Sequence, residues 1–502
     1  MIVKKISLAF FINIIIHSLG FLSLYFVAHY MGPDVLGTLA FALAYMGIFQ
    51  IFADLGLGSA HIKRVSEGMD FGKCNGTYFA AKSILNILMA VIILSTIFIS
   101  KYVQNKSFIS TSHEHVLYII LISTIIGNFS MMINISFNAR QETAKQNIPM
   151  LLGKIFEALG KIIVALLGMG VVLLSCANLL SAIIILFCMV YLFRNYPVKK
   201  PDREYFKSYI KFALPVMFIG LLLTITQNID RIMIQFFSTS ADVGYYSGAQ
   251  SISYILSLIT IASTGLLFPT ISSYSASNDI ESICNLSHKA ERYLSLLFFP
   301  VLIFICIFSD AICRIILGTQ FVQAPHILII LSIIVLIDGI TQPYSLQLVG
   351  TNRVILHAKL SCITYGLNII LNLLFIPKKI FSINLLGMAG KGAALATLIS
   401  VIISSALFRY YAYRITGSKP NLQILNHMLS SVIMGTILYI IKYHFTFISW
   451  YHLMLLAVIA AVTYIGFLAL IKEFTQKDLK LFLSIINPAQ MKDYIVSELK
   501  SN

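Results

Sequence analysis

Residues 148–193 read IPMLLGKIFEALGKIIVALLGMGVVLLSCANLLSAIIILFCMVYLF, and the number of times this stretch crosses a bilayer sets the parity of everything after it. One helical crossing takes about 20 apolar residues, so the stretch is too long for a single pass. Gly168, Gly170 and the run from Ser175 to Asn178 offer a turn, which gives two segments, 148–169 and 173–193. The same reading outward finds segments at 6–30, 37–57, 78–100 and 116–138 before it. After it come 209–236, 244–271, 290–317, 325–349, 354–376, 387–411, 424–442 and 450–471. Fourteen segments cover almost the whole chain, which reads as an all-α integral membrane protein.

Composition agrees. Of 502 residues, 58% are hydrophobic and 11% charged, with mean hydropathy +0.87. A soluble chain carries about a quarter charged residues. The apolar runs are continuous and lack period-two alternation, which argues against a barrel. Segment 6–30 exceeds a signal peptide's apolar core and no cleavage site follows it, so it is expected to stay as the first helix. Most of the seven cysteines fall in apolar spans and none forms a CxxC pair.

The charges test the segment count. With the N-terminus cytoplasmic, and charges within two residues of a span's end counted with the adjoining segment, inner segments hold 24 of the 36 Lys and Arg, outer loops hold 5, and 7 lie deeper within spans. A missed crossing would destroy this asymmetry, so both termini are expected inside a cytoplasmic membrane. The formal charge of +16 thus reflects membrane topology rather than nucleic acid.

An internal repeat divides the chain. Asp34-Val35-Leu36-Gly37-Thr38 after the first segment is matched by Asp242-Val243-Gly244-Tyr245-Tyr246 after the seventh. The turns Asn138 to Ala144 and Val349 to Val354 occupy equivalent places after the fourth and tenth segments. Six crossings separate the copies, so they keep one orientation about an axis along the membrane normal. The expected organisation is an N-terminal six-helix lobe 1–193, a cytoplasmic linker 194–208, a second six-helix lobe 209–413, helices thirteen and fourteen within 414–472, and a tail 473–502. In that tail Thr475 is expected to cap an interfacial helix ending near Pro488.

Seven cations remain inside spans: Lys82, Lys154, Lys161, Arg231, Arg314, Lys359 and Lys391. Each at the bilayer centre costs about 2.5–3.5 kcal/mol on insertion scales, so such groups avoid lipid. Lys154, Glu157 and Lys161 are spaced three and four apart and share one face of the fifth helix. Two readings stay open: a structural ion-pair ladder, or an aqueous lumen that attracts an anion, since the trio has one positive charge in surplus. In the seventh helix, Asp230 and Arg231 point in different directions, leaving Arg231 to face a lumen while Asp230 pairs elsewhere. Asp54, near the cytoplasmic end of the second helix, is expected to pair with Lys63 or Arg64. Asp338 sits with Gln342, Pro343 and Gln347 in a kinkable polar stretch of the tenth helix. Glu157, Asp230, Asp54 and Asp338 are candidates for coupling by proton or sodium ion, or for structural pairing. Lys359 and Arg314 are expected to snorkel.

No GxxxxGK[ST] loop is present, so the chain is not expected to hydrolyse ATP through a P-loop, and no GxSxG or HExxH motif appears. His113-Glu114-His115 on an outer loop is expected to be solvated, without metal. No cofactor is implied, and the short outer loops argue against a membrane glycosyltransferase.

The Gly32-Pro33-Asp34-Val35-Leu36-Gly37 turn, Asp54-Leu55-Gly56-Leu57, Asn228 to Ile234 (Asn-Ile-Asp-Arg-Ile-Met-Ile) and Val243 to Ala249 (Val-Gly-Tyr-Tyr-Ser-Gly-Ala) occur in this order. With the two six-helix halves, the chain through about residue 413 resembles the polysaccharide (O-antigen type) flippases of the multidrug/oligosaccharidyl-lipid/polysaccharide exporter superfamily. The resemblance implies V-shaped halves that alternate between inward- and outward-open states. It implies an undecaprenyl-diphosphate-linked oligosaccharide as substrate, with membrane lipids and polysaccharide assembly proteins as partners. The relatives' cationic lumen, carried over, falls on Lys154, Lys161 and Arg231; Glu157 departs from it by diluting the positive face. A lipid II flippase and a multidrug exporter of the same superfamily are the alternatives. The first helix lacks the carboxylate that the multidrug relatives often carry, and the first arginine, Arg64, comes later than in lipid II flippases.

Overall fold

The computed structural model describes residues 2–99, 101, 111–419, 421–444, 449–476 and 478. The helices are α1 (Ile2–Asp54), α2 (Leu57–Ser66), α3 (Phe71–Phe98), α4 (Thr111–Ala139), α5 (Thr143–Leu166), α6 (Val171–Phe193), α7 (Arg203–Phe237), α8 (Ser240–Ala276), α9 (Ile280–Ile316), α10 (Ala324–Gly350), α11 (Val354–Phe375), α12 (Ala389–Thr416), α13 (Gln423–Tyr443) and α14 (Trp450–Leu470). A two-residue hairpin, β1 (Lys379–Ile380) with β2 (Ile383–Asn384), decorates the α11–α12 connection.

Helix α1 holds two of the expected segments. Its 53 residues span roughly 80 Å at 1.5 Å per residue, far beyond one crossing. The chain breaks at Gly32, with φ 78° and ψ −177°, and Pro33 follows without an N–H to continue the ladder. The outer turn expected at 31–36 is therefore a break at one glycine; among the described residues eleven helices, α1 counted once, are long and apolar enough to cross a membrane. Short α2 was not expected as a separate element. Leu55 and Gly56 both take positive φ after Asp54, which ends α1 and starts a helix in a new direction.

The deciding stretch resolves into α5 and α6. The chain turns at residues 167–170, where Gly168 has φ +65°, whereas Ser175 to Asn178 lie inside α6. Pairing is close because both partners offer small residues. A Cβ on Gly153 would fall 2.3 Å from Ile185, and one on Gly160 would fall 3.1 Å from Ala177.

Two compact units divide the packing, Met1–Gly244 and Tyr245–Asn502. In the first unit, the two repeat signatures meet. A Cβ on Gly37 would lie 1.7 Å from the Ser240 carbonyl oxygen, and one on Gly244 would lie 2.0 Å from that of Pro33. The contact is reciprocal, and it exists because neither position carries a side chain.

The connection before α7 is strapped to α3. Lys199 N–H donates to the Gly72 carbonyl at 2.9 Å, Asn75 donates to Pro197, and Lys73 and Lys199 pair with Asp202 and Asp70. The Lys73 and Lys199 ammonium groups hold half-buried Asp202 and exposed Asp70, respectively, below their ordinary values. In the second unit, Arg292 of α9 grips Glu473 at 2.8 Å and Asp478 at 3.0 Å beyond α14. Thr475 and Asp478 exchange capping bonds, as the cap reading expects; the interfacial helix through Pro488 lies outside the described residues.

Candidate functional site

Helix α5 carries its charges on a face next to the one packed on α6. Its i, i+3 and i+4 spacing brings Lys154 and Lys161 to the same carboxylate oxygen: Glu157 Oε1 lies 3.2 Å from Lys154 Nζ and 2.6 Å from Lys161 Nζ. The two ammonium groups are therefore no farther apart than those two distances laid end to end. All three side chains are partly shielded, at 24%, 15% and 12% exposure for Lys154, Glu157 and Lys161. The Lys154 stem runs past Gly20 of α1, its Cε 3.6 Å from where a Cβ would stand. The ion-pair ladder is thus present, and it keeps one surplus positive charge. Ladder and lumen are compatible, because a shared carboxylate satisfies neither ammonium fully.

Arg231 lies on α7 in the same unit, half-buried, and is not part of the ladder; neighbouring Asp230 is buried. Both engage other groups. Helix α7 packs on the second half of α1, where a Cβ on Gly47 would strike the Asn228 carboxamide at 2.8 Å.

Asp54 corrects the sequence reading. Its partner is Lys82 of α3 at 2.7 Å, with the lysine side chain 3% exposed and the aspartate 38%. Lys63 and Arg64 turn to Glu67 instead, at 3.8 and 2.6 Å. The cause is local: the positive-φ pair Leu55-Gly56 redirects the chain, so α2 carries its two cations past Asp54 to their own i+4 and i+3 neighbour. Above this pair, Asn128 of α4 donates to Asn86 at 2.9 Å and accepts from Gln50, forming a polar run between α1, α3 and α4.

His113 is also corrected. It belongs to α4 and bonds Thr38 at 3.1 Å and Ser240 at 2.9 Å, while Glu114 pairs with Lys101. Among the described residues, no group of three potential ligands is placed to hold a metal. Lys359 is exposed, as a snorkelling chain would be; Arg314 is half-buried and engaged.

In the second unit, Asp338 lines a cavity of about 410 Å³ formed by α10, α11 and α12. A second charged cluster went unread in the sequence: fully buried Glu291 accepts from Tyr344 at 2.6 Å and from Arg409. Glu291 and Arg409 fall at the edges of the spans read from sequence, 290–317 and 387–411, but lie inside α9 and α12, so only their convergence exposes them.

The family model described as polysaccharide biosynthesis protein matches residues 26–326. The probable low-salt glycan biosynthesis flippase Agl15 of Haloferax volcanii is 26% identical over 448 residues, covering 86% of this chain and 88% of the relative. Among solved structures, the lipid II flippase MurJ in an inward closed conformation gives TM-score 0.73 at 17% identity, covering 93% of this chain and 99% of that one. An inward-facing multidrug resistance MATE family transporter of the MOP superfamily gives 0.63 at 16% identity, covering 80% and 96%. The fold is the all-α membrane transporter fold that these structures share.

Proposed function

The chain belongs to the polysaccharide biosynthesis protein family, and from that premise we propose that it is a flippase that turns over an undecaprenyl-diphosphate-linked oligosaccharide, such as an O-antigen unit, by alternating access in the cytoplasmic membrane. The observation that carries this reading is the α5 ladder, two membrane-depth ammonium groups sharing one carboxylate oxygen. The Agl15 relative, named a glycan biosynthesis flippase, supports the substrate class.

Physically, a diphosphate competes for both lysines. In the empty state Glu157 neutralises one of the two charges, which lowers the desolvation penalty of holding them inside a bilayer. An arriving headgroup offers several anionic oxygens to ammonium groups already held close together, and the ladder opens towards it. Glu157 then acts as the return spring, re-forming the ladder when the headgroup leaves. Arg231 supplies a further cation in the same unit. The lipid tail stays in the bilayer while the repeat-related lobes, 1–193 and 209–413, exchange states. Both termini face the cytoplasm, as the charge asymmetry requires.

Deletion of the gene followed by mass spectrometry of lipid extracts identifies which lipid-linked glycan accumulates. Lys154→Ala with Lys161→Ala is expected to reproduce that accumulation on the cytoplasmic leaflet. Normal surface glycan in the double variant removes the ladder from the mechanism. Accumulation of a peptidoglycan precursor instead assigns the lipid II reading.

A further inference from the structure

The α10–α12 cavity has a chemistry opposite to that of the α5 ladder. It runs along α10 from Asp338, near the helix midpoint, to Val349 at its end, and among the described residues no lysine or arginine lines it. Its lining is hydroxyl, amide, imidazole and carboxylate, with aromatic rings from Tyr365 and Phe408. Asp338 is solvent-accessible there and has no hydrogen bond or ion pair among the described residues. A carboxylate at this depth without a cation is expensive to keep, so it points to a ligand that donates to it. One turn on, Gln342 donates to Thr264 at 2.9 Å, which fixes its amide. Ser345 and His357 are joined at 3.0 Å across α10 and α11.

From this geometry we infer that the cavity is a sugar-ring subsite, taking one hexose or hexosamine of the transported glycan; the inference rests on the flippase reading above. Size and lining choose this ligand. About 410 Å³ lies within the ~300–1,000 Å³ typical of small-molecule sites. A bare cation gathers oxygens in direct contact on every side, as with the ~2.3–2.6 Å shells of calcium sites. Here the polar groups are spread along three helices, and only one is a carboxylate. A phosphate does not suit the cavity, because no lysine or arginine is among the described lining residues. A sugar ring matches: adjacent hydroxyls donate to both Asp338 oxygens, further hydroxyls meet Gln342, Ser345 and His357, and the apolar C–H face lies against Tyr365 or Phe408.

The test uses the purified full chain in lipid nanodiscs and equilibrium dialysis with radiolabelled D-glucose, D-glucosamine and N-acetyl-D-glucosamine. Wild type is expected to bind at least one saturably. Asp338→Asn is expected to weaken it roughly tenfold, the loss of hydrogen bonds to a charged acceptor. His357→Ala, at the other end of the cavity, is expected to weaken it too, and it serves if Asp338→Asn does not fold. No saturable binding to wild type overturns the inference, as does equal binding to wild type and Asp338→Asn. If Asp338→Asn abolishes a sodium or pH dependence of transport while sugar binding persists, the cavity is a cation site and the inference falls. Loss of sugar binding in Asp338→Asn, in an organism whose deletion strain accumulates no lipid-linked glycan, would instead sink the flippase reading and leave the subsite standing.

Discussion

Replacing Gly37 or Gly244 with alanine is expected to separate the two repeat signatures. A methyl on Gly37 falls 1.7 Å from the Ser240 carbonyl oxygen and 2.7 Å from the Gly244 nitrogen; one on Gly244 falls 2.0 Å from the Pro33 oxygen. Ordinary carbon–oxygen contacts begin near 3.3 Å, so the backbones must withdraw by roughly 1.5 Å. Both obstructing atoms are main chain and have no rotamer to escape into. The penalty therefore belongs at the upper end of the overpacking range, about 3 kcal/mol for each single variant. Because the two contacts are halves of one crossing, the separation forced by the first methyl also makes room for the second. The double variant should fall well short of the sum, with an interaction of about 2 kcal/mol. SDS titration in mixed micelles measures these differences. Gly127→Ala, in α4 with nothing within 4 Å of the added carbon, is the control. It should be neutral or stabilising by up to about 1 kcal/mol. Single variants indistinguishable from that control, or strict additivity of the pair, would refute the reciprocal contact.

Three other outcomes are expected. Asp54→Asn strands an ammonium whose side chain is 3% exposed and should lose about 3–5 kcal/mol, whereas Lys82→Met leaves a carboxylate that is 38% exposed and should lose clearly less; equal losses in the same titration would contradict this asymmetry. Arg292→Ala should free the segment after α14 and speed tryptic cleavage at Lys472. The Arg292 guanidinium holds Asp478 well below the ordinary carboxylate value, so the docking it provides is complete above that value and is lost only as pH falls through the lowered one. Wild-type cleavage should therefore be equally slow at pH 8 and pH 5.5, and a marked acceleration at pH 5.5 would contradict the latch. Reporter fusions after Lys106 and Lys200 should be extracytoplasmic and cytoplasmic, respectively; any other result breaks the topology.

The helices were legible because their cause is local. Apolar length, glycine and proline punctuation and side-chain spacing all act within a few residues, so segments such as 173–193 and 325–349 coincide closely with α6 and α10. The α5 ladder was legible for the same reason, since three- and four-residue spacing is fixed by the helix itself. Partners across the fold were not. Asp54 lies 28 residues from Lys82, and its nearest cations in sequence are turned away by two positive-φ residues. A change in the sign of one backbone angle leaves composition and hydropathy untouched, yet it redirects every contact that follows.

By itself the sequence determined that this is an all-α membrane protein of many apolar helices, because burial in lipid is set by chain length and residue polarity. Only the tertiary structure decided which charges neutralise one another, that Gly37 and Gly244 meet at their bare backbones, and that Asp338 opens on a polar cavity. Those outcomes depend on distances between residues far apart in the chain, and electrostatic and packing energies fall away within a few ångströms.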